Sequence, residues 1–448
     1  MPGTEYEDRD QSGIVPESSS PVFSPYVPFY KDIQRYCNRV SNGPMVVPFE
    51  ITGWRDEQLS WEKTCYIHGG LNPTPTFRFR GPGAREFLKK HTVNTYEKFP
   101  IGSGKHCIQC DEAGDIMGHG VVFRTGEDEF ETYWMILLAH AAESEKGNYE
   151  MEFTDMTAER FLLQIAGPKS LSVLESATGE DLHNVKFFRF RNTSINEKKL
   201  RIARLGMAGT LAYELHGDIR YSREIYDAVY QAGKHFGIRR LGWYAYMMQH
   251  TMNGFPQASY HFPIKIPGRD TRGLIRGSVG PEETGYRNPV ELGWGFCIKF
   301  DHDFIGRPAL EKMMADPKRT IVTLEWNEED IMKVHDSQFG DEEPYAPFDS
   351  VNDLASDFAI RVHQDRVLDT EGNQVGVSSG RMYSVYYRRM ISISTLDIPL
   401  AKIGSEVSVL WGDPGTRQIK IRAKVARFPY FDENRNSTFD VETIPHPG

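Results

Sequence analysis

The chain has 448 residues, room for roughly two to four packed units of ordinary domain size. Hydrophobic residues make up 39% and charged residues 25%, with seven Trp, 21 Tyr and 26 Phe, so a large apolar core can form and global disorder is excluded. A net charge of −10, with no long run of Lys or Arg against it, repels phosphate backbones and argues against nucleic acid as a partner.

Five cysteines in so long a chain fit a reducing compartment better than a disulfide framework. Cys107 and Cys110 form a lone CxxC in a strand-like stretch, and no second pair at zinc-ligand spacing follows, so they read as structural. The opening residues are acidic and rich in Ser, Pro and Gly, without the basic start or apolar stretch of a signal peptide. Residues 1–22 read as a disordered tail. No later run approaches the roughly 20 apolar residues that span a bilayer. The expectation is a cytoplasmic protein without a membrane partner.

After an aromatic lead-in over 23–36, the alternating Phe77-Arg78-Phe79-Arg80 reads as a strand. Gly81-Pro82 then opens a helical run over 84–90. The arrangement recurs where the apolar stretch 161–165 runs into Gly167-Pro168 and a helical stretch 170–175, which suggests two related strand–helix units. Between them, 105–110 and 120–124 flank the turn residues Asp111-Glu112-Ala113-Gly114, a hairpin, and 130–138 continues the meander. Ser222 is placed to cap a helix carrying Ile225, Tyr226, Val229 and Ala232 at helical spacing. Gly237 is placed to end it, and a second helix follows over 241–252. Pro308 marks another helix start, and the acidic stretch 326–357 reads as a linker or surface loop. Short alternating stretches at 360–362, 375–378, 390–394, 407–411 and 419–425 predict a small antiparallel barrel or sandwich over 358–448. The expected fold class is α+β, multi-domain: a body over 23–325 built from two related, interleaved subdomains, and a β-barrel carboxyl-terminal domain.

Taken in order, five segments resemble the glycine-cleavage T-protein, or aminomethyltransferase, superfamily. They are Gly81-Pro82-Gly83-Ala84-Arg85-Glu86-Phe87-Leu88 with Thr92-Val93-Asn94; Cys110-Asp111-Glu112-Ala113-Gly114-Asp115-Ile116; Gln164-Ile165-Ala166-Gly167-Pro168; residues 206–215; and Leu292-Gly293-Trp294-Gly295 with Asp303-Phe304-Ile305-Gly306-Arg307. Two departures stand out. Gly118-His119 occupies the place of the family's Asp pair, and Tyr246 replaces an Arg, as in the tetrahydrofolate-dependent aryl O-demethylase (vanillate and syringate) branch. Trp61-Glu62-Lys63-Thr64-Cys65-Tyr66-Ile67, Tyr286-Arg287-Asn288-Pro289 and Asp301-His302-Asp303-Phe304 are similar to that branch too.

The resemblance implies a T-protein-like fold, tetrahydrofolate as cofactor, and transfer of the methyl group of a methoxylated, lignin-derived aromatic to it, giving 5-methyltetrahydrofolate and a phenol. A phenolate leaves poorly, so a protonated group beside the ether oxygen is needed, and Tyr246 is the candidate general acid. A packing role in an aromatic helix is the competing reading. Glu214 matches the family's pterin-binding Glu, since one carboxylate accepts from adjacent N–H and NH2 groups. Its neighbour Tyr213, with Gln249 and Phe255, completes the expected cofactor set, the last two by hydrogen bonding and stacking or by mere helix packing. Arg124, Arg287 and Tyr286 are the candidates for the substrate, an arginine matching a carboxylate bidentately or lying idle on the surface. His68, His119 and His250 receive no role, and no metal site is expected. Two other functions stay open: removal of formaldehyde from a hydroxymethyl side chain on the same fold, and a folate-binding protein without turnover. The oligomeric state is not legible.

Overall fold

A computed structural model of the chain describes residues 26–447, apart from 29, 31, 41–43, 73–74, 271–274, 281–282, 284 and 349–361. The tail expected over 1–22 and part of the linker lie outside the described residues. An antiparallel ribbon, β1 (Arg35–Val40) with β2 (Pro44–Glu50), leads into α1 (Trp54–Lys63) and β3 (Tyr66–Gly69). Then come β4 (Thr76–Arg80), α2 (Ala84–His91), β5 (Ser103–Cys110), β6 (Ile116–Gly126), β7 (Glu129–Tyr133), α3 (Ile136–Ser144) and β8 (Glu152–Asp155). Their five strands form one antiparallel sheet in the order β5-β6-β7-β4-β8.

The second unit holds β9 (Arg160–Ala166), α4 (Ser170–Thr178), β10 (Phe190–Ile195), β11 (Lys198–Ala203), β12 (Ala212–Asp218), α5 (Ser222–Gly233), β13 (Arg239–Arg240) and α6 (Trp243–Met252). Its sheet runs β10-β11-β12-β9-β3-β13, antiparallel except where β13 joins β3. The two units share one local device. Gly81 after β4 and Gly167 after β9 turn the chain into their helices at φ of 130° and 128°. A Cβ would meet the Glu150 carbonyl oxygen at 2.6 Å in the first case and the Cys65 Cα at 2.5 Å in the second, so only glycine fits. The same strand–glycine–helix turn thus occurs in both units.

The last part contains β14 (Ile275–Arg276), α7 (Arg307–Ala315), β15 (Arg319–Trp326), α8 (Glu328–Asp336), β16 (Val362–Leu368), β17 (Gln374–Ser384), β18 (Arg389–Asp397), β19 (Glu406–Trp411) and β20 (Ile419–Ala426). Pairing of β16 with β19 closes six of these strands into an antiparallel barrel, with β14 added outside. Val322, Leu324, Val367, Leu396, Val409 and Ile421 fill it.

Three local expectations change. Residues 136–138 open α3 instead of extending the meander, because a short apolar run reads alike as strand or buried helix. Ser222 is the first residue of α5, and Tyr221 precedes it as the cap. Within the stretch read as linker, Asn327 accepts a hydrogen bond from the Asp330 amide and caps α8, and the strand before it, β15, is a barrel strand between β18 and β20. The barrel thus begins at Arg319, earlier than the expected boundary, since β15 finds its partners only far downstream. Among the described residues, no helix is long and apolar enough to cross a membrane. Cys107 and Cys110 are both buried, in different core clusters, the geometry of structural thiols.

Candidate functional site

The second sheet carries a polar row across its middle. Register pairs Glu214 on β12 with Gln164 on β9, and Gln164 with His68 on β3, so the three side chains stand side by side on one face. The opposite face, with Leu163, Ile165, Tyr213 and Leu215, belongs to the apolar core under α4 and α5. His68 Nε2 lies 3.2 Å from the Gln164 Oε1. The Tyr66 hydroxyl reaches the same oxygen at 3.0 Å and lies 2.5 Å from the Gln249 Oε1. A hydrogen-bonded chain therefore runs from α6 through Tyr66 to Gln164, which stands beside Glu214 in the sheet register.

Glu214 is buried, and burial pushes its carboxyl up to about 8 against the lowering influence of Arg201 and Gln164. Its Oε2 lies 3.1 Å from the His216 Nε2. It lines a cavity shared with Asn72, His106, His119, Trp134, Phe188 and Phe255, among others.

The facing wall comes from the first sheet and the loops beyond α6. His106 on β5 and His119 on β6 are joined, Nε2 to Nδ1, at 3.3 Å. The Ala258 amide donates to the His119 Nε2 at 3.4 Å, so the ring proton of a neutral His119 sits on Nδ1 and is donated to His106. His106 Nδ1 then carries its own proton and points at the Cys297 Sγ, 3.9 Å away. Both rings are locked in one tautomer with their nitrogens engaged. Burial holds His119 well below its ordinary value and His106 at about 4, which keeps them uncharged at neutral pH. Trp294 lies 4.7 Å from the His106 ring and 4.8 Å from the His119 ring, Trp134 5.0 Å from His119, and Phe255 5.6 Å from His106. The wall is a box of neutral π faces.

Every residue of α6 is buried. Tyr246 sets its ring edge-on to His68 at 5.1 Å and to His250 at 4.7 Å, between the polar row and the aromatic box. His250 donates from Nδ1 to the Tyr246 carbonyl at 2.8 Å, and burial lowers it to about 4. Of the expected residues, the fold brings Glu214 and Phe255 onto the cavity and Gln249 and Tyr246 into the layer that backs it. It does not bring in the rest. Tyr213 points to the apolar side of its strand. Arg124 spends its guanidinium on the carbonyls of Phe99, Gly126 and Glu127. Arg287, buried, donates to the Tyr286 carbonyl while its own carbonyl accepts from Ile116, and Tyr286 stacks under the Lys265 ammonium at the hairpin. His106, His119, Tyr66 and Trp294 went unassigned in the sequence. The replacement at His119 and the resemblance segments that hold Tyr66 and Trp294 were the available signals.

The family of the GCVT N-terminal domain matches residues 71–260. A sesamin methylene transferase from Sinomonas sp. (strain No.22) is 40% identical over 429 residues, covering 90% of this chain and 94% of the relative. The chain belongs to the glycine-cleavage T-protein superfamily. Within the superfamily, a syringate O-demethylase from Sphingobium sp. (strain NBRC 103272 / SYK-6) is 31% identical over 433 residues, 88% of this chain and 93% of that one. The fold of this T-protein relative matches the glycine cleavage system aminomethyltransferase T from Bartonella henselae with a TM-score of 0.66 at 17% identity, over 90% of this chain and 96% of that structure.

Proposed function

We propose that the protein transfers a one-carbon unit from an ether oxygen of an aromatic compound to tetrahydrofolate. The observation that carries this reading is Glu214, a buried carboxylate held up to about 8, facing an aromatic-walled cavity. A carboxylate so desolvated calls for a ligand with paired N–H donors, which the pterin ring offers. The Asn72 Oδ1, buried on the same cavity without a hydrogen-bond partner, is a further acceptor for such donors. Glu214 and Asn72 would hold the pterin edge, Phe255 its face, and the Tyr66–Gln164 chain would keep Glu214 in register. When bound, tetrahydrofolate supplies the nitrogen that takes the carbon. Tyr246 is the proposed proton donor to the departing oxygen, since both ring nitrogens of His106 and of His119 are already engaged.

Two donors differ in product. A methoxy aromatic gives a phenol and methyltetrahydrofolate; a methylenedioxy aromatic gives a catechol and methylenetetrahydrofolate. Two observations favour an uncharged donor of the second kind over an aromatic acid. Among the described residues that line the cavity there is no Lys or Arg, Arg124 being spent on backbone carbonyls. The 40% likeness is to a methylene transferase. Incubation of the purified protein with tetrahydrofolate and a panel of neutral methylenedioxy aromatics, neutral methoxy aromatics and methoxylated acids, read by mass spectrometry, tests the reading. Catechol with methylenetetrahydrofolate is the expected pair. Absence of any folate one-carbon product from every ether overturns it.

A further inference from the structure

Away from the cavity, two distant pieces of chain meet through their titratable groups. Glu175 on α4 and Asp181 and His183 just beyond it face Glu442 and His446, more than 260 residues later. His183 Nδ1 lies 2.8 Å from the Glu175 Oε1 and 3.1 Å from the Asp181 Oδ1. His446 Nδ1 lies 2.9 Å from the other Asp181 oxygen, and the two imidazoles stack with centroids 3.8 Å apart and planes at 18°. One donor atom from each of Asp181, His183 and His446 falls within 4.8 Å of the others.

The far nitrogens decide how these groups are wired. His183 Nε2 is 3.1 Å from the Ile444 carbonyl, an acceptor only, so this nitrogen carries a proton. His446 Nε2 is 3.3 Å from the Glu442 carboxylate, again an acceptor. In their neutral forms both rings therefore carry the proton on Nε2 and turn a bare Nδ1 lone pair onto the Asp181 oxygens. Lone pair against lone pair is repulsive unless a cation lies between. Protonating both rings relieves it only by stacking two imidazolium ions face to face. One divalent ion relieves both conflicts at once. An outer acceptor on the remote nitrogen is also how metal-bound histidines are usually oriented. Glu175 adds an independent sign: it is 2% exposed, and its Oε2 is buried without a hydrogen-bond partner.

We propose that Asp181, His183 and His446, with Glu175 beside them, form a binding site for a divalent transition ion of the zinc type, which clamps the segment around Val441–Thr443 to the end of α4. Two imidazole nitrogens and carboxylate oxygens suit zinc and its neighbours and not the hard, all-oxygen preference of calcium or magnesium. Where a ring is protonated, the ion replaces its Nδ1 proton, and binding ties together parts of the chain that are remote in sequence, so it stabilises the fold at a site apart from the cavity.

The test is calorimetric titration of the full-length, chelator-treated protein with Zn²⁺ in two buffers of different ionisation enthalpy, with Co²⁺ absorption as a second probe. One equivalent bound with proton release, a visible Co²⁺ band and a raised melting temperature are expected. His446→Gln, at a half-exposed position that leaves the fold intact, and Asp181→Asn are each expected to lower affinity by at least about tenfold. Lack of stoichiometric binding, or binding that His446→Gln leaves unchanged, overturns the proposal and marks any ion as adventitious.

Discussion

Two histidine pairs in this molecule behave in opposite ways. His106 and His119 lie in the aromatic box, where desolvation holds both below the ordinary imidazole range. His183 and His446 lie near the surface among carboxylates. The hydrogen bond to Asp181 holds His446 above its ordinary value, and at His183 partial desolvation pulls downward but the Ile444 carbonyl and Glu175 outweigh it. The same side chain is a neutral wall in one place and a cation or a ligand in the other. What differs is the company of acceptors: the inner pair face each other, an amide and a thiol, the outer pair face carboxylates. The inner site thus presents uncharged walls to the cavity, and any proton needed there must come from a group that keeps its own at neutral pH.

The largest effect is expected where that argument is most exposed. Tyr246→Phe keeps the ring against His68 and His250 and removes the hydroxyl, so turnover at saturating folate should fall by about 10²- to 10⁴-fold with folate affinity unchanged. Near-normal phenol or catechol release would move the proton donor elsewhere. Next is Glu214→Ala, expected to weaken folate binding by about 1.5 to 3 kcal/mol in calorimetry while the circular dichroism spectrum stays native.

The protonation of Glu214 sharpens the comparison further. Its carboxyl sits at about 8 in the free protein and must ionise to accept pterin N–H groups, so folate affinity should fall by about tenfold for each pH unit below 8. Glu214→Gln should flatten that slope; an unchanged slope would show that another group sets it.

The smallest effect concerns stability in acid. His106 is depressed in the folded state by burial, so its contribution is full above the unfolded imidazole value of about 6.5 and is lost as pH falls toward about 4. Thermal unfolding followed from pH 7 to pH 4 should show this loss, and His106→Phe should reduce the slope by about 1.4 kcal/mol per pH unit at most. A variant with the wild-type slope would mean that His106 is already charged in the folded state.

How much of this was legible depended on how far each signal reaches along the chain. Glu214 was readable from its segment, and the alternation of Leu211, Tyr213 and Leu215 already put Tyr213 on the other side of the strand. The row His68–Gln164–Glu214 was not, because it is made by the register of three strands that lie far apart in sequence. Arg124 looked available because its residue type suits a carboxylate, and only the fold reveals the three carbonyls of its own turn and of Phe99. The strand patterns of the barrel were visible one by one, whereas β15 was misfiled into the body because no local pattern says which sheet a strand joins.

That misplaced strand has a consequence for how the protein is made. β15 holds a central place in the barrel, between β18 and β20, so neither neighbour exists when it leaves the ribosome. Both its edges, and the apolar side chains of Ile321, Val322 and Leu324, wait for the chain to run on past Ala426. Pairings this remote in sequence are slow to form, and unpaired strand edges are sticky while they wait. During synthesis the interval between β15 and β20 therefore leaves these edges open to aggregation or to holding by a chaperone. The two units ahead of it, which hold the cavity, have all their strands in hand by then.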